Sequence, residues 1–341
     1  MIDERIGLVI GEFYPPHFGH AHLIGTARAR VQRVHLVVLD RPSEHTIPGD
    51  VRASWLRKSF PESVVHVIDD DVYGAHKVQN SQRTAAIISA IGARPDVLFS
   101  SEDQGAPMAH ELGCENVDVD RARRAVPIDG EAIRTDPVTN WRFLLPSAAA
   151  GLCRRVAFVG AESTGKTTLS KRLADSYGTD WVYEYGRDYT VEKIAAGTND
   201  HWDTNDFVVI AQRQGQIEDK AALTAGPLLF CDTDAFATAI WHERYLGSPS
   251  AEVEAIADQR HYDLYVLCGA DVPFESDGVR FSEDVREWMM ERFAQGLAQR
   301  PEPWLRVAGS VEQRVSLIRD EVDRLGLLEP HSIFDAKRFG S

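Results

Sequence analysis

Gly160-Ala161-Glu162-Ser163-Thr164-Gly165-Lys166-Thr167-Thr168 follows directly on the apolar run Arg155-Val156-Ala157-Phe158-Val159 and leads into a helical pattern at 169–177. A buried strand, a loop of the form G-x-x-x-x-G-K-[ST] and a helix make up a phosphate-binding P-loop. The residue types carry the chemistry. Glycines let backbone N–H groups curl around phosphate oxygens, Lys166 brings a mobile cation, and the Thr167 hydroxyl offers a ligand to Mg²⁺. The helix start adds the positive end of its dipole. With this chain's own composition, ~0.004 such matches are expected by chance. The stretch therefore predicts a nucleoside triphosphate site formed by Gly160, Glu162, Ser163, Thr164, Gly165, Lys166, Thr167 and Thr168.

A chain of 341 residues exceeds what one core usually organises, which predicts two domains. The net charge of −15 works against non-specific binding to nucleic acid or to anionic membranes, while a local basic pocket still suffices for a small nucleotide. Cys114, Cys153, Cys231 and Cys268 are widely spaced, with no C-x-x-C, so neither a zinc site nor a disulfide framework is expected. Reduced thiols and the absence of a signal peptide or spanning segment predict a cytoplasmic protein. Whether it is a homo-oligomer stays open.

Strand-like runs at 6–10, 34–39, 64–68 and 97–100 alternate with helix-like stretches at 21–30, 51–59 and 81–91. After the P-loop the pattern resumes, with strands at 155–159, 181–183, 227–231, 262–267 and 305–307, and helices at 204–225, 283–299 and 311–325. Strands alternating with helices imply an α/β fold, here two doubly wound parallel-sheet domains. The Pro- and Ala-containing passage 145–151 marks the boundary, giving domains over 1–150 and 151–325, and 326–341 reads as a weakly ordered tail.

In the first half, Gly11-Glu12-Phe13-Tyr14-Pro15-Pro16-His17-Phe18-Gly19-His20 joins a strand to a helix. Two imidazoles three residues apart at that junction point at one phosphate. Able to carry a proton, His17 and His20 can donate hydrogen bonds to charge developing on an α-phosphate. This resembles the nucleotidyltransferases with an H-x-G-H signature, which move a nucleotidyl group from a triphosphate to an acceptor. The resemblance implies a Rossmann-like domain with Gly11 and Phe13 in the ATP site. That family's second motif corresponds to Ile128-Asp129-Gly130-Glu131-Ala132-Ile133-Arg134, in which Arg134 keeps the triphosphate-binding position. Glu12, Asp129 and Glu131 replace a cation and two hydroxyls. A carboxylate ~4 Å from a phosphate oxygen would cost ~1 to 4 kcal/mol, so these acids are expected to impair adenylyl transfer.

In the second half, Glu184-Tyr185-Gly186-Arg187 and Cys231-Asp232-Thr233-Asp234 close two strands, and ligands gather beyond the carboxyl ends of parallel strands. Asp232 has the position of a Mg²⁺-holding Walker-B acid. Glu184 is the candidate to deprotonate an attacking hydroxyl and Arg187 to meet the acceptor or the transferring phosphate, with Asp234 an alternative for either carboxylate role. Asp277, Arg280 and Arg286 lie between a strand and a helix, where a lid with arginines is expected.

Together the halves resemble the bifunctional NMN adenylyltransferase and ribosylnicotinamide kinases of bacterial NAD salvage. The resemblance spans 6 to about 325. It adds Arg52 with Trp55-Leu56, Ser100-Ser101-Glu102 and Asp277-Gly278-Val279-Arg280. It implies a P-loop kinase domain that phosphorylates nicotinamide riboside to NMN, and a first domain that adenylylates NMN to NAD. ATP and Mg²⁺ are the cofactors it implies, and Arg52, Trp55, Glu102, Arg187, Asp234 and Asp277 the substrate contacts. The helix-turn-helix domain of some members is not seen, so no DNA partner is expected. A kinase with a decayed adenylyltransferase half, or a nucleotide-sensing regulator, remain as alternatives.

Overall fold

A computed structural model describes residues 5–72, 80–198, 200–271 and 283–339. The chain divides into two units, one of residues 1–152 with 330–341 and one of residues 153–329.

The first unit is a parallel sheet of five strands in the order β3-β2-β1-β4-β5. These are β1 (Ile6–Gly11), β2 (Arg33–Asp40), β3 (Val64–Asp69), β4 (Val97–Ser100) and β5 (Glu115–Asp118). Its helices are α1 (Phe18–Arg28), α2 (Gly49–Ser59), α3 (Asn80–Ile91), α4 (Gly105–Leu112), α5 (Gly130–Thr135), α6 (Pro137–Asn140) and α7 (Pro146–Leu152). β1 and β2 are nearly continuous apolar runs because helices cover both faces of a parallel sheet. Leu8, Val37, Leu98 and Ile87 are fully or almost fully buried in one of the resulting cores. The order reverses at β1, whose neighbours are β2 and β4, so a crevice opens beyond its carboxyl end, where Glu12 begins.

The second unit is a parallel sheet in the order β10-β9-β6-β8-β7, with β6 (Arg154–Val159) flanked by β9 and β8. The other strands are β7 (Trp181–Val182), β8 (Leu228–Asp232), β9 (Leu264–Cys268) and β10 (Trp304–Val307). Its helices are α8 (Lys166–Tyr177), α9 (Tyr185–Ala195), α10 (Thr204–Ala221), α11 (Ala235–Leu246), α12 (Ala251–Asp258), α13 (Glu283–Gln299) and α14 (Val311–Arg324). Val156 and Phe158 of β6 are wholly buried against Leu173, Phe230 and Val266.

Both sheets match the expected fold class, with three local differences. β5 and α4 were not anticipated, because β5 reads Glu-Asn-Val-Asp, an edge strand with little apolar content. α5, α6, α7, α9, α11 and α12 were also missed. The expected weakly ordered tail instead forms α15 (Pro330–Ile333) and a 3₁₀ turn at Ala336–Phe339. Ile333 is fully buried and Phe334 nearly so, and this segment belongs to the first unit. Among the described residues, no helix is long and apolar enough to cross a membrane.

Candidate functional sites

In the first unit, His17 caps α1. Its Nδ1 accepts from Gly19 N–H at 3.1 Å, while the His17 N–H donates to Nδ1 of His20 at 3.2 Å. With both Nδ1 atoms accepting, each ring carries its proton on Nε2. The rings lie 3.8 Å apart. Burial, then the charge of Arg123, lowers His17 to about 4, and burial with His17 and Arg123 lowers His20 well below its ordinary value. The structure thus corrects the expectation of proton-carrying imidazoles: the pair is neutral, and donates through Nε2–H. A β-carbon at Gly19 would lie 2.8 Å from the His17 ring, so only glycine allows this packing. The pH dependence follows. The native state resists protonation that the unfolded chain accepts below about 6.5, so stability is full above that value and declines as pH falls towards 4. Calorimetry between pH 7 and pH 4 should show a falling transition for this unit, less steep in His17→Asn.

These rings border a cavity of about 410 Å³ that Phe13, Glu102 and Arg134 also line. Arg134 donates to the Tyr14 carbonyl and lies 4.7 Å from the Tyr14 ring. Gly11 ends β1 behind the Phe13 ring. Two of the three acids expected to impair the site have cationic partners. Glu12 is held low first by His45 and then by Arg41, whose Nη1 is 2.9 Å away. Asp129 caps α5 through Ala132 N–H and pairs with Arg123, both of which lower it. It therefore serves the capping role open to a hydroxyl. Glu131 is exposed at the cavity.

Two expected substrate contacts lie elsewhere. Arg52 is fully buried and donates to the carbonyls of Ile47, Glu12 and Leu39 and to Asp40, so its guanidinium organises three backbone segments. Trp55 is buried against Gly151 and the Phe339 ring. Sequence reading missed Arg41, Arg83 and Arg123 in the cavity wall. Asp70, fully buried, sets the first two, with Arg41 Nε at 2.8 Å and Arg83 Nε at 2.9 Å.

In the second unit, Gly160 has φ +137 and Gly165 φ +86, which only glycine adopts freely, and the loop between them wraps into α8. Lys166 Nζ donates to the carbonyls of Gly160 and Ala161 at 3.0 and 2.9 Å. The Thr164 hydroxyl turns inward to Ala161 O, and Arg286 reaches Ser163 O at 3.2 Å. Thr168 is exposed on the first turn of α8, and Glu162 half-buried in the loop. Thr167 Oγ1 donates to Oδ2 of Asp232, whose buried Oδ1 has no hydrogen-bond partner. Burial raises the Asp232 carboxyl, and Lys166 opposes that rise.

Glu184 is the N-cap of α9 and accepts from Arg187 Nε at 2.9 Å. Its charge also raises Asp232, so the two carboxylates face one region. Asp234 does not join them. It is 1% exposed, caps α11 through Ala237 N–H and accepts from Tyr265 OH at 2.8 Å, which corrects its expected substrate role. Asp277 and Arg280 lie outside the described residues. Arg314, from α14, was not foreseen: 2% exposed, it donates to Thr164 O at 2.8 Å and to Asp271 at 2.6 Å, clamping the P-loop from 150 residues away. No local pattern signals it. Also unforeseen are the rings of Tyr189, Trp202 and Tyr245, with Trp202 and Tyr245 centroids 4.9 Å apart. Burial and then the charge of Glu162, in the P-loop, raise the Tyr245 hydroxyl.

Residues 155–314 match the AAA domain family. The trifunctional NAD biosynthesis/regulator protein NadR of Escherichia coli (strain K12) is 31% identical over 299 residues, 81% of this chain and 72% of that protein. Its counterpart from Salmonella typhimurium is 30% identical over 82% of this chain and 72% of that protein. Among solved structures, NadR protein in complex with NR aligns over 96% of this chain and 97% of that one, with a TM-score of 0.71 and 20% identity. NadR protein in complex with NAD and AMP-PNP aligns over 94% and 96%, with a TM-score of 0.67 and 21% identity.

Proposed function

The chain belongs to the NadR family, and we propose from that premise that it is a two-step enzyme of NAD biosynthesis. The second unit would transfer the γ-phosphoryl group of ATP to the 5′-hydroxyl of nicotinamide riboside, releasing ADP and NMN. The first unit would transfer the adenylyl group of a second ATP to the NMN phosphate, releasing pyrophosphate and NAD. The observation that carries the reading is the pairing of two separate phosphate sites at carboxyl strand ends. One has the carboxylate of Glu184 beside the acid Asp232; in the other, Glu12 and Asp129 are paired with Arg41 and Arg123, and the imidazoles of His17 and His20 line the cavity together with Arg134. A hydroxyl acceptor needs a base to take its proton, which Glu184 supplies. A phosphate acceptor is already an anion and needs none, so donors to the α-phosphate suffice.

In the kinase unit, the loop N–H groups and Lys166 bind the triphosphate, and Arg286 and Arg187 add charge near the transferred group. The orphaned Oδ1 of Asp232 beside the Thr167 hydroxyl fits a divalent cation; Mg²⁺ held there would neutralise phosphate charge. Nicotinamide riboside carries a pyridinium cation, which suits the faces of Tyr189, Trp202 and Tyr245. Trp202→Ala is expected to raise KM for the riboside by about tenfold, the equivalent of ~1.4 kcal/mol, with KM for ATP unchanged.

In the other unit, Nε2–H of His17 and His20 would meet the α-phosphate, and Arg134 the departing pyrophosphate. Pairing of Glu12 with Arg41 and of Asp129 with Arg123 supports an active site here over a decayed one. Two assays of the purified chain test the function: ATP with nicotinamide riboside, and ATP with NMN, each with Mg²⁺. Formation of NMN and of NAD respectively is the expected result. Failure of either product to form removes that half of the proposal.

A further inference from the structure

Glu184 occupies the N-cap of α9 but makes no side-chain capping hydrogen bond. The first N–H groups of a helix lack intrahelical partners, and a side-chain oxygen at that position ordinarily turns back to satisfy one. The N–H of Tyr185, the residue next to Glu184 and the first of the helix, donates to Oε1 of Gln214, 3.0 Å away on α10. Gln214 is 0% exposed, so water does not compete for that bond. The Glu184 carboxylate is left to face Arg187 and Asp232.

We propose that Gln214 is the positioning residue of the kinase base, anchoring the backbone at the start of α9, and with it the adjoining Glu184, so that the carboxylate is held towards the acceptor hydroxyl. This rests on the reading of Glu184 as that base. The anchor is rigid because α10 is itself bolted to the strand that feeds the P-loop. Four residues on from Gln214, the buried Glu218 accepts from Arg260 at 3.0 Å and from Tyr262 OH at 2.8 Å, and lies 3.6 Å from Arg155 of β6. One helix therefore sets the acceptor side of the site in register with the donor side. A misplacement of about 1 Å between reacting groups costs on the order of 10²-fold in rate, so such a register is worth building.

The test uses two variants of the full chain that break the bond from opposite ends. Gln214→Met removes the acceptor at similar volume, and Tyr185→Pro removes the donor at the first helical position, where proline fits. Each is expected to lower kcat for nicotinamide riboside about 30-fold at saturating riboside, with KM for ATP within twofold of the parent. Gln214→Met leaves the Tyr185 N–H without its acceptor. Its Tyr185 amide should also exchange with solvent at least tenfold faster than in the parent. A kcat within twofold of the parent in both variants, or unchanged Tyr185 exchange, overturns the proposal. If the parent chain does not phosphorylate the riboside, the base assignment fails instead, while the exchange result still reports on the anchor.

Discussion

Lys166→Ala is expected to lower phosphorylation of nicotinamide riboside by about 10³-fold, the equivalent of ~4 kcal/mol of transition-state stabilisation. The side chain is 6% exposed, and its ammonium bonds two loop carbonyls, so it both closes the loop and supplies a cation in a site shielded from water. Alanine would also withdraw the leading force that holds the Asp232 carboxyl down against its burial. Protonated Asp232 is a poorer ligand for Mg²⁺, so affinity for the metal-bound nucleotide should fall along with turnover. The same preparation assayed with ATP and NMN provides the contrast. Its adenylyl transfer should stay within twofold of the parent, because that chemistry is assigned to the other unit. A parallel fall in NAD formation would mean that the two activities do not reside in separate units.

Removing residues 330–341 is expected to destabilise the first unit by ~3 to 6 kcal/mol, judged from the cost of deleting buried Ile and Phe side chains. Ile333 is 0% exposed and Phe334 7%. The Phe334 ring lies 6.4 Å from that of Tyr14, the Phe339 ring 6.2 Å from Trp55, and Arg338 donates to Leu152 O at 3.0 Å. Tyr14 in turn supports Arg134 through its carbonyl and its ring. Truncation should therefore abolish NAD formation from NMN at physiological temperature and leave riboside phosphorylation intact. Calorimetry should show one transition shifted and the other in place. Equal shifts of both would contradict the division of the chain into these two units.

Both loops proposed to bind phosphate were legible because they are local. In each, a strand, glycines and polar donors occur within about ten consecutive residues, and the backbone alone brings them together. Glu184 and Asp232 were also within reach, since each follows an apolar strand and parallel sheets gather such ends. Asp234 illustrates the limit. Two residues from Asp232 in sequence, it turns into the interior to cap α11 and bond Tyr265, a choice set by the positive φ of Thr233 between them. Arg52 shows the same limit from the opposite direction. A motif-like position predicted a ligand contact, but three carbonyls, Asp40 and the Nδ1 of His45 take up its five N–H groups.

The three acids that argued against the first site were legible as residues and not as charges. Whether a carboxylate repels a phosphate depends on its nearest cation: Arg41 reaches Glu12 from the far end of β2, and Arg123 folds back onto Asp129 from earlier in the same loop. By itself the sequence determined two parallel α/β units and, in each, the glycine-containing loop that joins the first strand to its helix, because hydrophobic period and glycine-bounded loops act over short range. The tertiary structure alone decided the return of the C-terminal segment to the first unit, the neutrality of the histidine pair and the clamp of Arg314 on the P-loop. It also decided which strand-end carboxylate stays free. Those depend on burial and on partners far apart along the chain, which no local pattern encodes.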